Sequence, residues 1–179
     1  LLAFLRRRGL QAGEAEDLAQ DVFLRLLRKD LLLKADAAKG RFRSYLLGIT
    51  LRVLSDQRRA EQAEKRGGAW ERVPLDAIPP RAAEAEFESC WLQELMRRAL
   101  AAVEAADPAQ HVLLGYAAEG LSPSAIAART ERTPGATRVA LHRARKRLAA
   151  ELKDEVARYC SSEEEFEDEL KTFARFLGP

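Results

Sequence analysis

Arg138, Val139, His142, Arg143 and Lys146 recur at helical spacing, and their side chains carry the clearest chemistry in this chain. An arginine can take guanine bidentately, a valine can touch a thymine methyl, and a lysine suits phosphate. Such residues act together only if one helix presents them. Thr133 is a helix cap and Pro134 fits the first helical position, where its missing N–H has no intrahelical partner anyway. Thr137, Leu141, Ala144 and Leu148 fall at i, i+4, i+7 and i+11, a stripe to bury on the other face. A shorter helix precedes it, with Ser122 as cap, Pro123 next, and Ile126 and Ala127 inward. The hydroxyls of Ser122 and Ser124 at its start suit phosphate. With the polar link Thr130-Glu131-Arg132-Thr133, the pair reads as a helix-turn-helix, whose second helix enters the DNA major groove. The plainer alternative is a solvated basic face on a helical hairpin, with His142 an ordinary surface histidine.

Two other groups of residues stand out. Asp17 and Gln20 lie at i, i+3 with Glu16, Asp21 and Arg25 nearby, a face able to meet basic residues of a partner helix, while Phe23 and Ala19 lie alongside the apolar stripe Leu18, Val22 and Leu26. The alternative is a helix start whose acids offset the macrodipole. Phe42 and Tyr45 stand beside Arg41, Arg43 and Arg52, and Arg58 and Arg59 follow. Aromatic rings next to cations suit unstacked bases and their phosphates, unless the rings face the core. Catalytic chemistry is not visible. His111 and His142 have no partner nucleophile, Cys90 and Cys160 form no Cys-x-x-Cys pair, and Gly67-Gly68 lies among helix breakers. The expectation is no enzyme, no metal and no cofactor.

The chain has 179 residues and a net charge of +2, enough for one domain or two small ones. Charge is uneven. Arg138 to Arg147 is basic, whereas Glu163 to Glu169 is acidic, so a binding face and an internal competitor for it both exist. Ala, Leu, Glu, Arg and Lys dominate and alternating strands are absent, so the expected class is all-α. Helices are expected over 1–8, 14–27, 41–59, 84–105 and 108–119, then the helix-turn-helix pair, the second helix running toward Ala157. Ser161 or Ser162 starts a last helix with Phe166, Leu170, Phe173, Ala174 and Leu177 inward. Residues 30–40 read as looser chain. Gly67-Gly68, Pro74 and Pro79-Pro80 mark a linker. The expected division is a first domain at 1–60, a linker at 61–83, a second domain at 84–153 and an extension at 154–179. No apolar run reaches membrane-spanning length, no signal peptide is seen, and free thiols in a reducing cytoplasm are expected. The start at Leu1 rather than Met leads us to expect missing N-terminal residues.

In this order the parts resemble the extracytoplasmic-function (ECF) sigma factors. Glu14 to Leu26, EAEDLAQDVFLRL, is similar to the family's acidic helix. Phe42-Arg43-Ser44-Tyr45-Leu46 through Asp56-Gln57-Arg58-Arg59 is similar to the segment that follows it, and Gly135 to Arg145 to the promoter-reading helix. The resemblance covers Leu1 to about Leu152. It implies a dissociable subunit of bacterial RNA polymerase that directs promoter recognition and DNA opening. The first domain (region 2) would bind the clamp helices through Asp17, Gln20, Asp21, Phe23 and Arg25. It would open the minus-ten element through Phe42, Arg43, Tyr45, Arg52, Arg58 and Arg59. The second domain (region 4) would bind the flap tip and read the minus-thirty-five element through Ser122, Ser124, Arg138, Val139, His142, Arg143 and Lys146. Tyr45 and Arg52 replace the family's usual Trp and Asn, and Thr137 and Ala140 its Val and Arg, so the promoter sequence does not transfer.

The tail past Leu152 is similar to a planctomycete-type subset with a C-terminal helical extension. We expect this helix either to fold back on region 4 or the linker and tune access to DNA, or to complete the domain core. A cytoplasmic protein, monomeric when free, is implied; the sequence identifies no anti-sigma factor or kinase. The competing reading is a stand-alone helix-turn-helix regulator, which leaves the acidic motif of the first domain unexplained.

Overall fold

The computed structural model describes residues 1–28, 42–65 and 80–177. Among them are eight α-helices and no strand, as the composition predicts: α1 (Leu2–Arg7), α2 (Ala12–Arg28), α3 (Phe42–Lys65), α4 (Pro80–Ala106), α5 (Pro108–Ala118), α6 (Pro123–Arg129), α7 (Pro134–Ala157) and α8 (Glu163–Leu177). The looser segment expected at 30–40, Arg41, and Gly67-Gly68 with Pro74 and Pro79 lie outside the described residues. The chain forms two compact units, Leu1–Trp91 and Leu92–Pro179. Their division falls inside α4, later than the boundary expected at 83/84, because residues 84–91 pack with the first unit. Two helices also run further than their motifs suggest. α3 continues to Lys65 and α4 starts at Pro80, both within the stretch expected to be linker.

In the first unit, α2 packs on α1 and α3. Leu18, Val22 and Leu26 of α2 meet Phe4 and Leu5 of α1 and Leu46, Ile49 and Val53 of α3 in one core. The first half of α4 closes it. Phe87 is 3% exposed and meets Phe4 edge-on at 5.2 Å and 81°. Beside it Arg8 pairs with Glu86 at 2.6 Å. Full burial of a phenylalanine is worth about 1.5–3 kcal/mol and a near-surface ion pair about 0–1, so the rings hold α4 here.

In the second unit, α7 packs on α5, α6 and α8. Leu113, Ile126 and Leu141 form one cluster and Val103, Leu114 and Ala144 another. α5 is closed off by Gly120, two residues past its end, whose φ of +80° lets Leu121 N–H reach back to the Tyr116 carbonyl (3.2 Å). α6 ends the same way, with Arg132 N–H on the Ala127 carbonyl at 3.0 Å, but the left-handed residue is Glu131, φ +52°.

α8 is capped by Ser162, whose Oγ accepts from Glu165 N–H, while Glu165 accepts from Ser161 N–H and Oγ–H. Its inward face differs from the expected stripe. Phe173 is buried and Phe166 and Leu170 half-buried, but Ala174 is exposed, and Glu169 and Thr172 are buried instead. Both find partners: Glu169 accepts from Tyr159 Oη–H at 3.1 Å, and Thr172 Oγ1–H donates to the Asp168 carbonyl. The side chain of Leu177 lies outside the described residues.

Candidate nucleic-acid interface

The helix-turn-helix forms where its caps predict. Ser122 Oγ accepts from Ala125 N–H and Thr133 Oγ1 from Ala136 N–H, both at 3.2 Å, with Pro123 and Pro134 opening the helices. Ser122 and Ser124 are exposed, and the Ser122 hydroxyl proton remains free to donate while its oxygen caps. On α7 the stripe Thr137, Leu141 and Ala144 is buried, with Leu148 half-buried. The polar atom on that stripe is satisfied, because Thr137 Oγ1–H donates to the Thr133 carbonyl at 3.1 Å. At 100° per residue, Arg138, Val139, His142, Arg143 and Lys146 share about 140° of arc on the opposite face. All five are exposed, and Val139, an apolar side chain at 52% exposure, has no part in the core.

Beside this face a cleft of about 420 Å³ opens between the head of α5 and α7, lined by Asp107, Gln110, Arg132, Val139, Ala140 and Arg143 among others. Asp107 caps α5 and accepts from both Gln110 N–H and Gln110 Nε2. Ala140, where the resembling motif carries arginine, leaves the wall of the cleft open. Arg132 escaped the sequence reading. It lies in the turn rather than on the periodic helix face, so spacing gives no signal for it. It is exposed and adds a second guanidinium beside Arg143.

In the first unit the acidic helix has a definite outward face. Asp17, Gln20, Asp21 and Phe23 are exposed. Leu24 and Leu27, at 44% and 64% exposure, join them. These two leucines were missed by the sequence reading. The signal was present, since neither fits the buried spacing Leu18, Val22, Leu26. The Arg25 guanidinium meets Asp56 of α3 at 2.7 Å, with both side chains partly exposed.

The residues expected at the minus-ten element separate on α3. Tyr45, Arg52 and Arg59 repeat every seven residues and share one face. Arg52 and Arg59 are exposed, Arg59 lying 3.7 Å from Asp56. Arg58 is exposed but points about 100° away from Arg59. Phe42 and Tyr45 are half-buried, each packed against the core. Arg43 is placed differently from the others. It is 5% exposed and its guanidinium pairs with Glu88 of α4 at 3.0 Å. Position on the helix puts Arg43 on the buried side, between Leu46 and Leu47.

Among the described residues no group of His, Cys, Asp and Glu is placed to hold a metal ion, and no helix is long and apolar enough to cross a membrane. Cys90 and Cys160 are free thiols; burial pushes the Cys90 thiol up from its usual range.

An all-α architecture with a capped helix-turn-helix and an exposed basic face is that of the helix-turn-helix class of DNA-binding proteins. A family model described as ECF sigma factor matches residues 5–154, and the chain belongs to that family. Its role is accordingly that of a sigma factor in transcription initiation. Comparison with curated proteins and with solved structures gives no match. α8 lies beyond the matched residues.

Proposed function

We propose that the chain binds core RNA polymerase through its first unit and reads promoter DNA with both units. The observation that carries this is the outward face of α2. A helix with a full buried stripe on one side still exposes Phe23, Leu24 and Leu27 beside Asp17 and Gln20. Apolar side chains ringed by acids fit a basic-and-apolar partner helix better than water. The clamp helices of the polymerase have that chemistry in this reading, and the flap tip would take the second unit.

Arg138, Val139, His142 and Arg143 would meet base edges of the minus-thirty-five element. Lys146, Ser122 and Ser124 would meet phosphates. Tyr45, Arg52 and Arg59 offer a continuous outward row for the minus-ten element; Arg58 faces a different direction and Arg43 is held internally. No residue here is assigned a catalytic role. The first unit, Leu1–Trp91, would hold region 2, and the second would hold region 4 followed by the C-terminal extension. A cytoplasmic, monomeric free protein belongs to the same proposal.

The experiment is binding of the purified chain to core polymerase, followed by transcription from a random promoter library. Binding with enrichment of two spaced elements is the expected result. DNA binding without polymerase binding would replace this reading with a stand-alone regulator.

A further inference from the structure

We propose that Arg132, in the turn of the helix-turn-helix, grips a backbone phosphate at the rim of the DNA major groove and so sets how α7 sits in it. This rests on the reading that α7 enters the groove. At 100° per residue the outward fan of α7 ends at Arg143, and Ala136 and Ala140 follow it within about 60°. These three residues line the α7 side of the cleft of about 420 Å³ beside α5, and Arg132 lines the same cleft. The cleft therefore continues the reading face.

The occupant follows from size and charge. An α-helix with its side chains is about 10–12 Å across, and the major groove is about 12 Å wide. α7 fills such a groove, so a cation carried beside α7 meets the groove wall, which is phosphate. Arg132 is that cation. It precedes the cap residue Thr133 and so lies off the helix. It is exposed, and among the described residues its guanidinium makes no ion pair. Its backbone is already fixed. Glu131, left-handed at φ +52°, turns the chain so that Arg132 N–H reaches the Ala127 carbonyl at 3.0 Å, and Thr133 then caps α7. Little backbone freedom is left to lose on binding. The charge balance of the cleft also suits an anion. Arg132 and Arg143 face Asp107, the one carboxylate lining it among the described residues. That carboxylate accepts from Gln110 N–H and Nε2–H at the positive head of α5, which blunts its repulsion of a phosphate.

The test is binding of the full-length chain, without polymerase, to two labelled DNA duplexes of unrelated sequence across a salt series. Arg132→Ala keeps the backbone N–H that bonds the Ala127 carbonyl. We expect it to weaken binding to both duplexes alike, roughly five- to tenfold near 0.1 M salt, and to lower the log–log salt slope by about 0.9, one phosphate contact. Arg132→Lys keeps a cation in the same place and should keep most of the slope, which a merely structural role for the side chain would not require. Unchanged affinity and slope in Arg132→Ala, a loss confined to one duplex, or a lysine variant that behaves like the alanine one overturns the proposal. Arg138→Ala separates this proposal from the reading beneath it. If Arg138→Ala weakens binding and Arg132→Ala does not, the turn makes no contact and the reading of α7 stands. If neither weakens binding, or the wild-type chain binds no duplex, α7 is not the DNA-binding helix and both fall.

Discussion

The Tyr159 hydroxyl, two residues past the end of α7, donates to Oε2 of Glu169 in the middle of α8 at 3.1 Å. The acceptor is 3% exposed. This contact ties a helix outside the family match to the end of the second helix of the helix-turn-helix. α7 is already burying Leu152, Glu155 and Val156 there, and Arg158 pairs with Glu155. These residues lie six or more positions past Lys146, about 9 Å along the axis. The arrangement favours α8 as a completion of the second unit's core over a cover for DNA.

Tyr159→Phe should therefore destabilise the second unit by about 1–2 kcal/mol, the cost of a buried carboxylate losing one donor. Urea unfolding followed by circular dichroism measures it. Deletion of residues 161–179 should lower stability further without tightening promoter binding. A still-stable deletion with tighter binding would restore the view of α8 as a regulator of DNA access.

Glu131 holds a left-handed conformation at the turn of the helix-turn-helix, a place where glycine is relaxed. A side chain there costs about 1–2 kcal/mol, and glycine's extra chain entropy returns about 0.5–1 of it. Glu131→Gly should raise stability by roughly 0.5–1 kcal/mol, read as a shift in the urea midpoint at constant slope.

On the reading face, Arg143→Ala and Lys146→Ala should part company. Loss of a bidentate base contact costs about 1–3 kcal/mol and relaxes preference at one base pair. Loss of a phosphate contact weakens all sequences alike and lowers the salt slope by about 0.9. Binding of duplex promoter variants across a salt series distinguishes the two.

On α2, Leu27→Glu should leave the melting temperature within about a degree or two, since an exposed site carries little packing energy. It should weaken polymerase binding tenfold or more, as expected for an anchor at an interface centre. Arg25→Ala should do the reverse, lowering stability through loss of Asp56 with little direct effect on polymerase affinity. Calorimetry and a polymerase titration on both variants check the pair.

Glu94 offers a test of charge placement. Hydrogen bonds from Arg97 first, and then Arg98, hold its carboxyl down to about 2. Its ion pairs are thus present above the ordinary carboxylate range near 4.5 and are lost as pH falls toward 2. The effect on stability should be small, because the side chain is 43% exposed and water screens it. Carbon-detected NMR titration should place the midpoint near 2, and Arg97→Ala should move it upward.

By itself the sequence determined the helices, their caps and the helix-turn-helix. These depend on contacts within three or four residues: Ser122 with Ala125, Thr133 with Ala136, Thr137 with Thr133. It also determined the reading fan on α7, because a periodic buried stripe leaves only one face outward. The tertiary structure decided what distant residues do to one another. Arg43 and Arg25 look like free cations in their motifs, but each meets a carboxylate about 30 to 45 positions away, Glu88 and Asp56. The boundary between the units moved into α4 for the same reason. The burial of Phe87 against Phe4 joins residues far apart in the chain, and no local pattern encodes that pairing.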